Sequence, residues 1–191
     1  MKNSAGAVAL FIAGAVVGAQ TVVGGAKPQG PTRGAAPSGV RPAPTAKVQA
    51  SLLQLMRGIL YPSSNVIFAA QGDLEKLTPP ADPSVSPNPL TSTYGGWVAV
   101  ENASLALVEA ANLISLPGRM CSNGKPAPVQ RADWVKFTQG LRDAGMAAYK
   151  AAQSKNTDAI VDVSGTVSDA CSACHDVYRE KKGGPQDRCL P

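Results

Sequence analysis

Cys171, Cys174 and His175 stand in the run CSACHDVYREKK, and His175 is the only histidine in the 191-residue chain. On a helix these positions are i, i+3 and i+4, so two thiols and an imidazole share one face. Two thiols so placed can add across the two vinyl groups of a haem, leaving the imidazole to meet the iron. C-x-x-C-H is the spacing of c-type haem attachment, a chemistry of exported proteins. Two other chemistries use the same residue types. Dithiol exchange wants C-x-x-C where a helix N-terminus lowers a thiol pKa, whereas this motif falls deep in a helical pattern. A zinc site wants four ligands and would have to recruit Cys121 or Cys189, the other two cysteines.

The surrounding pattern is helical. Val48, Leu52, Leu55 and Ile59 recur at helical spacing, widened by Leu53, Met56 and Leu60, until Pro62, which is expected to end or kink the helix. The stretch from Ser63 to Leu74 can restart it, and Tyr61, Ser63, Ser64 and Asn65 are expected to cap the break rather than border a ligand entrance. A proline-rich connection spans residues 78–93. A second helix is expected from Tyr94 to Ser115, with Val100, Ala103, Leu107, Ala110 and Ile114 on its buried stripe and Pro117-Gly118 as its stop. A third begins near Arg131, where Asp133 suits a helix N-terminus, and buries Trp134, Phe137, Leu141, Ala144, Ala148 and Ala151. The fourth starts after Asn156, a good cap, buries Ile160, Val163, Val167, Ala170, Cys174 and Val177, and stops at Gly183-Gly184-Pro185. No stretch alternates as a strand does. The expected fold is all-α, an antiparallel four-helix bundle with the haem motif on its last helix.

Ahead of this domain, residues 1–19 pair Lys2 with a short, small-residue apolar run, read as a signal peptide with an uncleaved N-terminal anchor as the alternative. Residues 20–46 are rich in Pro, Gly and Ala without apolar period, a disordered tether. The domain spans 47–191. The net charge of +5 is unevenly spread: Lys2, Lys27, Arg33 and Arg41 fall in 1–46 without any acid, leaving 14 basic and 13 acidic residues beyond. The domain itself gives no sign of a nucleic-acid partner. Cys121 and Cys189, an even leftover pair in an exported protein, are expected to form a disulfide, with free or intermolecular thiols as the alternative.

The C-terminal run, with Cys171, Cys174, His175, Tyr178 and Arg179 matching C-x-x-C-H-x-x-Y-R, resembles the class II c-type cytochromes, that is, cytochrome c′ and the low-spin cytochromes of the c-556 kind. The resemblance covers about residues 47–182. It implies one covalent haem c on Cys171 and Cys174, His175 as proximal iron ligand, and Arg179 near the proximal haem face. It places the distal residue on the first helix, where Met56 is the methionine to weigh. Thioether ligation there would give a six-coordinate haem suited to electron transfer between periplasmic redox proteins. A Met56 that only packs, as methionines on apolar faces do, would leave an iron open to NO or CO. A haem subunit of a larger, membrane-tethered redox complex is the remaining alternative, and related bundles form homodimers. Arg57 and Arg142 are candidates to pair with haem propionates, or are plain surface arginines. Tyr178, Trp97 and Trp134 are expected to pack. No residue set points to an enzyme: a haem peroxidase would want a distal acid–base group, and no second histidine exists.

Overall fold

The computed structural model describes residues 46–190; the leader and nearly all of the tether lie outside them. Among the described residues the fold is all-α, and the single β-bridge joins Met120 and Pro126 in a loop. The first helical stretch is α1 (Leu52–Leu55), a π-helical turn (Met56–Leu60) and α2 (Tyr61–Ala69), followed by α3 (Gly96–Ile114), α4 (Ala132–Gln153) and α5 (Thr157–Tyr178).

Ser51 opens α1 with a capping box: its hydroxyl accepts from Gln54 N–H and the Gln54 side chain accepts from Ser51 N–H. Of the two outcomes expected of Pro62, it does not end the first helical stretch. The π-turn ends immediately before it, with Tyr61 N–H bonded to Met56 O, and Pro62 falls in the first turn of α2, where no N–H is required. The polar residues beyond Met56 therefore cap nothing. Ser64 Oγ donates to Tyr61 O inside a continuing helix, and the start of α2 has no side-chain cap.

The proline-rich connection is organised by a repeated local device. Asp73, Asp82 and Asn88 each accept from the backbone two residues on, starting the 3₁₀ turns Leu74–Lys76, Pro83–Val85 and Pro89–Thr91. Leu74 and Leu90 anchor the connection in the core.

Helix α3 packs along α4, α4 along α5, and α2 against both α3 and α5. The stripe Val100, Ala103, Leu107, Ala110 and Ile114 is buried as its period requires. Gly145 lets α4 approach α3 closely: a Cβ there would stand 2.9 Å from Val108 Cγ2 and 3.1 Å from Ser104 O. Helix α3 is long and apolar enough to cross a membrane, but half of its apolar window is buried against its neighbours, as in a core helix. Buried Arg119 ties the loop after α3 to the start of α1, its Nε donating to Leu113 O (2.9 Å) and its Nη1 to Ala50 O.

Asn156 caps α5 by accepting from Ala159 N–H. The helix ends at Tyr178, before the expected Gly183-Gly184-Pro185 stop. Its tail turns back, so that Cys189 N–H bonds Tyr178 O (2.8 Å) and takes the carbonyl that a further helical turn would have used.

Candidate functional site

Cys171, Ser172, His175 and Arg179 succeed one another at helical spacing along α5 and line a cavity of about 500 Å³. The first helical stretch also lines it, through Leu53, Met56, Arg57, Leu60, Ser64 and Phe68. Trp134, Phe137 and Leu141 of α4 line it too, together with Cys121, Ser122, Arg188 and Cys189. The volume is in the range of cofactor pockets, and the lining is mainly apolar with few polar groups, as such pockets are. The cavity explains a departure from the expected core. Ile160, Val163 and Val167 are buried, while Ala170, Cys171 and Cys174 on the same helix are only half-buried, because this part of the face meets open space.

Met56 lines the same cavity as the motif and is half-buried against the main core. Met120 is 41% exposed in a loop, and neither it nor Met146 lines the cavity. Arg57 is exposed at the lining. Arg142 is elsewhere, donating to Gln139 Oε1 (2.6 Å) and Asn112 Oδ1 (2.7 Å). Tyr61 and Ser64, expected to cap, border the cavity instead. Arg179 pairs with Glu180 at 3.3 Å, and its Nη1 stands 3.4 Å from His175 Nδ1, a long contact.

Cys121 and Cys189 are joined in a disulfide across 68 residues. With Ala127, Trp134 and Tyr178 they form a second small core, against which Cys174 packs. Tyr178 stacks edge-on to Trp134 at 5.0 Å and closes the end of α5 onto the start of α4.

The motif's electrostatics bear on its chemistry. Burial raises both thiol pKa values, that of Cys174 to about 11, with the neighbouring Cys171 and Asp133 adding to it. Dithiol exchange needs the reverse shift. Burial, and after it the charge of Arg179, lowers the His175 pKa, which keeps the imidazole neutral with a lone pair to offer. The disulfide withdraws Cys121 and Cys189 as zinc ligands, and no three His, Cys, Asp or Glu side chains converge as a metal site among the described residues.

A covalently attached haem suits this arrangement. The two thiols and the imidazole sit at separate points along one apolar wall, and no acid lines the cavity. Two of the lining residues, Trp134 and Arg188, carry buried N–H groups (Nε1 and Nε) without a hydrogen-bond partner, as expected where a ligand supplies acceptors. Neither orphan donor was legible as a site residue in the sequence: Trp134 reads as core, and Arg188 is marked only by its neighbour Cys189. Comparison with protein-family models, curated proteins and solved structures finds no match for this chain.

Proposed function

We propose that this chain is an exported monohaem c-type cytochrome of the class II kind, an antiparallel four-helix bundle that carries electrons between periplasmic redox proteins. The observation that carries the reading is that Cys171, Cys174 and His175 from α5 and Met56 from the first helical stretch line one largely apolar, acid-free cavity. Cys171 and Cys174 are the thioether positions, and the neutral His175 is the proximal ligand. A haem c held there supplies a one-electron Fe(II)/Fe(III) couple. The apolar lining residues of the first helical stretch and α4 would keep water from such a group and so favour its less charged state. Met56 is the distal ligand in this reading. The disulfide, together with the leader, supports an oxidising compartment outside the cytoplasm.

The test is the visible spectrum of the chain produced with haem-c maturation machinery, ferric and ferrous, with CO added to the ferrous form. A low-spin spectrum indifferent to CO, becoming high-spin in Met56→Ala, is the expected result. A high-spin ferrous spectrum that shifts with CO would move the function to binding of NO or CO. Absence of covalent haem would remove the cytochrome reading altogether.

A further inference from the structure

The end of the cavity closed by the disulfide carries more than the haem reading uses. Arg188 lines it with a buried Nε that has no hydrogen-bond partner. A guanidinium does not shed its proton, so an enclosed N–H without an acceptor is a standing cost unless a ligand answers it. The position of Arg188 is fixed from both sides. Asn123 Nδ2 donates to the carbonyls of Gln186 (2.9 Å) and Arg188 (2.8 Å). Next in the chain, Cys189 is bonded to Cys121 and held by its own N–H on Tyr178 O. Cys189 adopts φ 63°, a left-handed conformation uncommon for a residue with a Cβ, and the bridge and hydrogen bond hold it there.

The other cationic lining residues are placed differently. Arg179 is paired with Glu180, and Arg57 is exposed to solvent. No Asp or Glu lines the cavity to satisfy Arg188, and none of the ion pairs among the described residues uses it. A planar, always-charged donor with an unused buried N–H, in an acid-free cavity, selects a carboxylate.

We propose that Arg188 is the carboxylate-binding residue of this cavity, presented to it by the Cys121–Cys189 bridge, and that the carboxylate it takes is a propionate of the porphyrin. The proposal rests on the haem reading and gives the bridge a positioning role in it.

The experiment titrates ferric mesoporphyrin IX, whose ethyl groups cannot form thioethers, and its dimethyl ester into the oxidised, haem-free full chain, read by quenching of tryptophan fluorescence. The parent is expected to bind the free acid about tenfold more tightly than the ester. Arg188→Gln and reduction of the bridge each bring that ratio close to one, Arg188→Lys retains part of it, and Arg142→Gln leaves it unchanged. Because each ratio compares two ligands on one folded sample, checked by circular dichroism, loss of stability does not imitate the effect. A parent ratio near one, or a ratio that survives Arg188→Gln, overturns the role of Arg188 and leaves the porphyrin site standing. Failure of either porphyrin to bind overturns both.

Discussion

Tyr178 Oη donates a 2.8 Å hydrogen bond to Asp133 Oδ1, fastening the end of the motif helix α5 to the first turn of α4. Arg131 Nε reaches both atoms at 3.1 Å. The hydrogen bonds from Arg131 and then Tyr178 hold the Asp133 carboxyl below the usual carboxylate range. A depressed folded pKa contributes stability that is present above the unfolded value, about 3.9, and lost as pH falls through the folded value. Asp133→Asn is therefore expected to lower the thermal midpoint at pH 7, with the gap from the parent closing below about pH 3.9. A gap that stays constant with pH in thermal circular dichroism would detach this carboxylate from the stability of the corner.

The motif thiols of the haem-free chain are expected to be sluggish. With Cys174 at about 11, little thiolate exists at pH 8, and unfolding in urea should speed its alkylation about tenfold, the gain in thiolate being partly offset by lower nucleophilicity. Mass spectrometry should find two alkylated cysteines without reduction and four after it. Fast alkylation in the folded state would reopen the dithiol chemistry.

Gly145→Val places a branched side chain where even a Cβ meets Val108 and Ser104. A loss of about 1–3 kcal/mol is expected from forcing α3 and α4 apart, measured by urea denaturation. A neutral result would mean that the two helices separate without cost.

Arg119→Ala removes two charge-assisted hydrogen bonds to part-buried carbonyls, at Leu113 and Ala50. The expected cost is about 2–3 kcal/mol, together with faster proteolysis near Ala50, since the start of α1 loses its tie to the loop after α3. Unchanged protease sensitivity would show that the α1 capping box is enough.

Breaking the Cys121–Cys189 bridge releases a loop of 68 residues, for which chain entropy alone gives a loss of about 4 kcal/mol. Cys121→Ser/Cys189→Ser is expected to lower the denaturant midpoint accordingly without loss of helical signal. A double variant as stable as the parent would mean that packing of Trp134 and Tyr178 holds the corner unaided.

What the sequence made legible was whatever depends on local period and local caps. The α3 stripe, the Asn156 cap and the grouping of Cys171, Cys174 and His175 on one helical face are of this kind. What it hid depends on contacts far apart in the chain. Pro62 looked like a break because a π-turn that absorbs its missing N–H has no local signature. The early end of α5 depends on Cys189 taking the Tyr178 carbonyl from eleven residues away. Cys171 is half-buried against the main core that Met56 and Leu60 join, Cys174 against the small core of the Cys121–Cys189 corner, and Arg188 lines the cavity because the tail is pulled back to Cys121.

The bridge also sets an order of events during synthesis. Its second half, Cys189, is the last cysteine of the chain. As the chain emerges N-terminus first, Cys121 is present together with Cys171 and Cys174 before its proper partner exists. During that interval every disulfide open to Cys121 within its own chain consumes a thiol of the C-x-x-C-H motif. Premature oxidation in that interval therefore ties up Cys121 and a motif thiol together, and the native pairing is then reached only through thiol–disulfide exchange.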